Sequence, residues 1–282
     1  MPEFSCADYT FPLLNRRQSL KLLQILGFGW VDIGLFERNP SYLPTALVDA
    51  PSSFTNAVRE DLASSQLHVS DVFLQIGKEP AEFSVNDPDP AVRAHNREIF
   101  RRALDFCLAL ECSHLTGLPG VVHGDGHPDF ELAKEEAAWR VALASEAGMT
   151  YAVEAHIGSI CPDTTSTKRL LAAVQGLTLT LDYGHFICQG EKSDAVHALL
   201  PFASHLHLRG GAEGRLQTSV AENAIDFAGM MTRLSRMNHT GKLALEYVWV
   251  DWEGCNRTDN VSETLLLREQ LRTIAAELDW PA

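Results

Sequence analysis

No stretch of this 282-residue sequence comes near the ~18 uninterrupted apolar residues that a membrane helix needs, so no membrane span is expected. Positive charge is scarce: 23 Lys and Arg against 37 Asp and Glu give a formal net charge of -14. A surface that acidic repels phosphate backbones, so nucleic acid is not an expected partner. The six cysteines, at 6, 107, 112, 161, 188 and 255, form no C-x-x-C pair and no dense framework. Neither a structural zinc site nor a disulfide scaffold is therefore indicated, and reduced, mostly buried thiols are expected. The opening MPEFSCADYT lacks the basic flank and apolar run of a signal peptide, which makes a cytoplasmic location the expectation. A dinucleotide fingerprint is missing too, since Gly27-Phe28-Gly29 leads into Val31 and Asp32 without the third glycine. No Ser/Gly linker or low-complexity tract divides the chain, so residues 1–282 are read as one domain.

What is present is a repeated alternation of short apolar runs and longer amphipathic ones. The strand candidates are 4–9, 30–35, 67–76, 113–123, 150–155, 177–182, 204–208 and 242–248. Helix candidates follow near 16–26, 52–65, 89–111, 129–147, 163–174, 191–201, 220–239 and 260–278. Eight βα units in a chain of this length predict an α/β fold of the closed (β/α)8 TIM barrel type.

In such a barrel the site is built where the strands end. Strand five ends Val153-Glu154-Ala155-His156, and strand six ends Leu181-Asp182-Tyr183-Gly184-His185. Strand seven reads His205-Leu206-His207-Leu208-Arg209, and strand eight reads Leu243-Ala244-Leu245-Glu246. Alternation along a strand turns Glu154, Asp182, His207 and Glu246 inward together, above Ala152, Thr180, His205 and Ala244. Three acids in one lumen repel one another unless a cation joins them, and carboxylates with one imidazole suit Mn, Mg or Co, with Zn also open.

This set resembles the xylose isomerase-like TIM-barrel superfamily, and within it the branch of sugar phosphate isomerases and epimerases. That branch includes ketose 3-epimerases, hydroxypyruvate isomerases and inosose dehydratases. The resemblance implies one divalent metal ion held by Glu154, Asp182, His207 and Glu246. It also implies two catalytic glutamates, Glu154 and Glu246, that remove and return a proton beside a carbonyl while the metal stabilises an enediolate. His185 matches the family's substrate-binding histidine. Arg215 lies near the family's substrate arginine, although eight residues after His207 is a long spacing, and Arg209 stands as its competitor.

The implied substrate is a small carbohydrate-like molecule. A metal-dependent isomerase or epimerase is the leading expectation, and a lyase that expels a β-hydroxyl after the same first step is the alternative. The related endonuclease IV family shares the barrel. It is set aside because strand three ends Gln75-Ile76-Gly77 without a histidine and 215–223 contains no D-x-H. His123, at the end of strand four, is read either as a substrate or second-metal ligand or as a histidine tied to a loop carbonyl. Trp249 and Trp252 are read either as an apolar wall or as packing. The glycines between Arg209 and Arg215 leave phosphorylated and free sugars equally open. Arg93, Arg97, Glu98, Arg101 and Arg102 read as a solvated helix face or an oligomer contact. A homo-oligomer is a further expectation, with the Met230, Met231 and Met237 helix as one contact surface.

Overall fold

The computed structural model describes every residue except Pro40, Asp125, Asp279, Pro281 and Ala282. Eight parallel strands close into a barrel: β1 (Phe4–Ala7), β2 (Trp30–Phe36), β3 (His68–Gln75), β4 (His114–Gly117), β5 (Thr150–Glu154), β6 (Thr178–Asp182), β7 (Ala203–Leu208) and, after a small hairpin of β8 (Gly210–Ala212) and β9 (Arg215–Thr218), β10 (Leu243–Leu245). β1 pairs with β10, which shuts the ring. The main outer helices are α1 (Arg16–Ile25), α2 (Ala46–Asp49), α3 (Pro51–Ser65), α4 (Pro90–Ala109), α5 (Asp129–Glu146), α6 (Thr164–Ala173), α7 (Tyr183–Cys188), α8 (Ser193–His197), α9 (Phe227–Arg236) and α10 (Asn260–Glu277). No described helix is long and apolar enough to cross a membrane.

Local chemistry sets most of these ends. Asn15 and Asp163 close capping boxes with Gln18 and Ser166, and Asp89 caps α4 ahead of a proline at its first position. Three expectations are corrected. The fourth strand stops at Gly117 rather than running to His123, because Pro119 has no N–H to give a ladder and Gly120 adopts φ +105°. The helix expected over 191–201 is divided. Asp182 caps α7 directly at the end of β6, accepting from the Gly184 N–H, and only 193–197 continues as helix. The ninth helix likewise is confined to 227–236.

Leucines of the strands pack outward under the helices, while the barrel interior is strongly polar. Thr116 and Thr180 share a hydrogen bond at 2.5 Å across it. His114 bridges Asp71 at 2.6 Å and Ser204 at 2.8 Å. His205 meets Asp32 at 2.6 Å, and Ser5 donates to the same carboxylate at 2.9 Å. Burying so many polar groups is tolerable only because they find partners. Five of the cysteines are buried free thiols, and Cys188 is half-buried.

The surface expectations need revision. Met230 and Met231 are fully buried within the subunit, which leaves only Met237 of that trio exposed. Arg97 reaches across to the buried Glu136 of α5 at 2.8 Å, with Arg93 at 3.8 Å, so part of α4 is a packed ionic seam rather than a solvated face.

Candidate active site

The side chains at the ends of β5, β6, β7 and β10 converge on one end of the barrel. Register places Asp182 beside His207, and Ala244, two positions before Glu246, also beside His207. His207 Nδ1 lies 2.6 Å from Glu154 Oε1 and 3.3 Å from Glu246 Oε1. Its other nitrogen faces Asp32 one layer down, at 3.5 Å. Asp182 is close by but is engaged by Arg209, whose Nη2 donates to Oδ2 and stands 3.6 Å from Glu246 Oε2. Each of these side chains is almost fully buried.

Their protonation tendencies diverge. Burial pushes the Glu246 carboxyl up to about 7, against the opposing pull of His207 and Arg209. Burial also acts on Glu154, but the hydrogen bond and charge of His207 overcome it and hold that carboxyl at about 2. For His207, burial is outweighed by Glu246, Asp32 and Glu154, which raise it well above the usual imidazole range. Burial lowers His185 to about 4, so it is a neutral hydrogen-bonding ring at neutral pH. One carboxyl therefore stays ionised while its neighbour titrates near neutrality.

Above these groups opens a cavity of about 220 Å³, with Glu154, Glu246, Arg209, His185 and His156 at its base. Its walls are mainly apolar, with Tyr9, Phe36, Phe73, Val248 and Trp252 prominent. Polar floor and aromatic wall suit a small ligand that carries both hydroxyls and C–H faces.

The sequence matches the model of a xylose isomerase-like TIM barrel over residues 20–274. The chain belongs to the xylose isomerase-like TIM barrel family. Among solved structures it is similar to a D-tagatose 3-epimerase-like protein, with 14% identity, 98% and 99% of the two chains covered and a TM-score of 0.76. The D-allulose 3-epimerase from Methylomonas sp. in complex with D-allulose gives 17%, 96% of both chains and 0.74. The probable 3-DHS dehydratase AsbF from Bacillus anthracis gives 12%, 96% and 98%, and 0.68. At these identities the likeness is one of fold. Comparison of the sequence with curated proteins finds no match.

Within this xylose isomerase-like barrel, the structure brings together Glu154, Asp182, His185, His207, Arg209 and Glu246. It places the other three candidates elsewhere. Arg215 opens β9, is exposed and pairs with Glu222 at 2.9 Å, away from the cavity lining. His123 bonds Ser84 Oγ at 2.8 Å, and its backbone N–H donates to Asp129, so it is tied to its own loop. Trp249 is 44% exposed, whereas Trp252 turns in to lie 5.8 Å from the His185 ring.

The glycine-rich segment is a hairpin and not an open anion cradle. The Gly210, Gly211 and Gly214 N–H groups donate to Tyr247 Oη, Asn223 Oδ1 and Cys188 O. Gly210 is required there because a Cβ would sit 2.7 Å from the Thr218 carbonyl oxygen.

Tyr9 was not singled out by the sequence, yet its hydroxyl donates to Glu246 Oε1 at 2.8 Å. Gly34 makes room for it, since a Cβ there would approach the Tyr9 ring to 2.5 Å. A glycine inside an otherwise β-branched and apolar strand is the signal that pointed to such a close approach. Asp32 was also missed, and an acid within the apolar run Val31–Leu35 was its signal.

Proposed function

We propose that this chain is a divalent-metal-dependent isomerase or epimerase of a small sugar, sugar acid or polyol, acting on the carbon beside a carbonyl. The observation that carries the reading is the pair Glu154 and Glu246 at the cavity base, both gathered on His207, at 2.6 and 3.3 Å. One carboxyl can take a proton from the carbon beside a carbonyl and the other can return one, which is what isomerisation or epimerisation requires. Tyr9 orients Glu246 through its 2.8 Å hydrogen bond. Arg209 stays charged, and its buried Nε has no acceptor within the protein, so it is placed to donate to a substrate oxygen as negative charge builds there. Neutral His185 supplies a further hydrogen bond, and the aromatic wall excludes water.

The residues also fit a divalent cation. Ligand atoms of Glu154, His207 and Glu246 lie within 4.8 Å of one another, and Glu246 Oε2 is buried without a hydrogen-bond partner. This oxygen-rich set with one imidazole suits Mn, Co, Mg or Zn. When bound, the ion supplies Lewis-acid polarisation of the substrate oxygens.

A metal-dependent lyase is the second reading. It is supported by the same pair, because the carboxyl that would return a proton to carbon can deliver it to a departing β-hydroxyl instead.

The test is incubation of the Mn-loaded and Co-loaded protein with a panel of ketoses, keto acids and keto-cyclitols in deuterated water, followed by proton NMR. Loss of the signal at the carbon beside the carbonyl, abolished by a chelator, is expected. Formation of an absorbing enone moves the assignment to the lyase, and the absence of both outcomes across the panel overturns the proposal.

Metal binding is expected to follow pH with a defined sign. Glu246 and His207 both have raised pKa values, so protons compete with the ion and affinity rises with pH. For a carboxyl at about 7, one-proton competition weakens Mn binding roughly fivefold between pH 7 and pH 6, and the proton on His207 adds to this. Calorimetric titration at pH 6, 7 and 8 in buffers of different ionisation enthalpy measures both the affinity and the protons released; a flat profile contradicts the ligand set.

A further inference from the structure

The acidic and basic groups at the base of the cavity occupy one half of the barrel mouth. Glu154, His185, Arg209 and Glu246 follow the ends of β5, β6, β7 and β10, which are neighbours in the ring. Across the cavity, β1, β2 and β3 present Tyr9, Phe36 and Phe73 instead, and Leu118 follows β4. The Tyr9 and Phe36 rings meet edge to face at 4.8 Å, Phe36 and Phe73 do so at 5.2 Å, and Phe73 lies 5.7 Å from the His207 ring. An aromatic wall thus runs from His207 round to the end of the first strand.

Hydrogen-bonding capacity is divided in the same way. Among the described residues that line the cavity, the buried polar atoms without a partner are His156 Nε2, Arg209 Nε and Glu246 Oε2, all on the β5–β10 side. On the opposite side the polar groups are engaged within the protein. Asp8 accepts from the Gly34 N–H at 2.9 Å and from Asn39 at 3.3 Å, Gln75 donates to the Gly77 and Lys78 carbonyls, and the Tyr9 hydroxyl donates to Glu246. Arg16 and Arg38 pair with Asp61 and Glu79, and Lys78 is exposed at the rim. A free sugar carries hydroxyls all round its edge, and each one pressed against this wall loses water without gaining a partner, which costs free energy. Laying a C–H face of the sugar on the wall does not avoid this, because rings inclined at 67° and 82° to one another form a corner and not a flat platform.

We propose that the substrate of this site is a keto sugar carrying an uncharged aromatic group, an aryl glycoside, with its sugar over the β5–β10 half and its aromatic group against Tyr9, Phe36 and Phe73. Rings set at an angle receive an aromatic guest edge to face, an arrangement that aromatic groups favour. Apolar surface continues past the cavity, where Leu13 is 82% exposed between the lining residues Pro12 and Leu14, so part of the group can emerge at the mouth. The anomeric carbon of a glycoside is substituted, so the carbonyl beside which the proton is taken lies at another ring carbon.

This inference rests on the function proposed above, and two readouts separate them. The first needs no turnover: calorimetry on the full Mn-treated chain compares phenyl, hexyl and methyl glucosides, each as both anomers, and fructose 6-phosphate, in wild type and Phe36→Ala, with circular dichroism melting to check the fold. Phenyl glucoside is expected to bind at least about tenfold more tightly than methyl glucoside, from burial of one ring. Phe36→Ala is expected to narrow that ratio at least about threefold. A smaller ratio in wild type, an unchanged ratio in folded Phe36→Ala, or tighter binding of hexyl glucoside or fructose 6-phosphate than of phenyl glucoside overturns the inference. Should Phe36→Ala not fold, the wild-type comparison decides alone. The second readout is proton exchange on phenyl and methyl 3-keto-glucosides in deuterated water. Phenyl preference without exchange on any keto sugar retains the aromatic subsite and overturns the isomerase reading; exchange without phenyl preference does the reverse.

Discussion

Substituting glutamine for Glu154 or Glu246 is expected to slow solvent proton exchange into the substrate by about 10²–10⁴-fold, the range associated with losing a positioned acid or base. Glutamine keeps the shape and one acceptor oxygen, so His207 can still donate to position 154 and Tyr9 to position 246. What disappears is the ability to take or give a proton, together with a charged ligand for the ion, so exchange is read at saturating Mn. Because the proposed reaction needs both carboxyls, one to take a proton from carbon and the other to give carbon a solvent-derived one, the double variant should be little worse than either single one. Melting temperatures should move by only a few degrees, since each substitution removes a costly buried acid while retaining its packing. Exchange rates read by NMR, with melting curves alongside, check the expectation; near wild-type exchange in both single variants would dismiss the proposed base and acid.

The largest stability effect is expected far from the cavity, in the seam between α4 and α5. Glu136 and Arg140 are each 2% exposed at the side chain and meet at 2.8 Å. Arg140 also donates to Asn96 at 3.0 Å and lies 5.3 Å over the Phe100 ring. Glu136→Ala leaves that guanidinium buried without its counter-charge and is expected to cost about 3–5 kcal/mol. Urea denaturation should show a lower midpoint with an unchanged slope. The pair itself contributes much less than its rupture suggests, because bringing both charges out of water opposes their attraction. Glu136→Leu combined with Arg140→Met should therefore recover more than half of the loss. A double variant as unstable as Glu136→Ala would show that the ion pair, and not the unpaired charge, is the source of the effect.

The barrel was legible because its strands read as apolar runs that end in charge. Leu179-Thr180-Leu181-Asp182 and Leu243-Ala244-Leu245-Glu246 announce both a strand and the point where it opens to the site. The gathering of Glu154, Asp182, His207 and Glu246 at one end follows from that alternation alone. Side-chain direction beyond the strand ends is not fixed by periodicity. Arg209 turns inward because it continues the inward phase of β7. Arg215 turns outward because three glycines fold the chain back as a hairpin, and no count of residues from His207 reveals this. Tyr9 and Asp32 act on groups 237 and 173 positions away, so only the closed ring makes their roles visible. Arg93 and Arg97 of α4 were misjudged for a similar reason, while Glu98, Arg101 and Arg102 do lie on an exposed face: Arg97 has a local helical neighbourhood like any surface arginine, and its partner lies on another helix.

The bond between Tyr9 and Glu246 crosses the seam where β1 meets β10, joining the turn just after the first barrel strand to the residue just after the last. During synthesis, most of the barrel emerges before Glu246, which completes the proposed catalytic pair, exists. A partly made chain, or one stalled with its seam open, therefore has no weakly working version of the site. The activity proposed for the site is therefore expected only once the ring shuts, which would make turnover a direct report that folding has gone to completion.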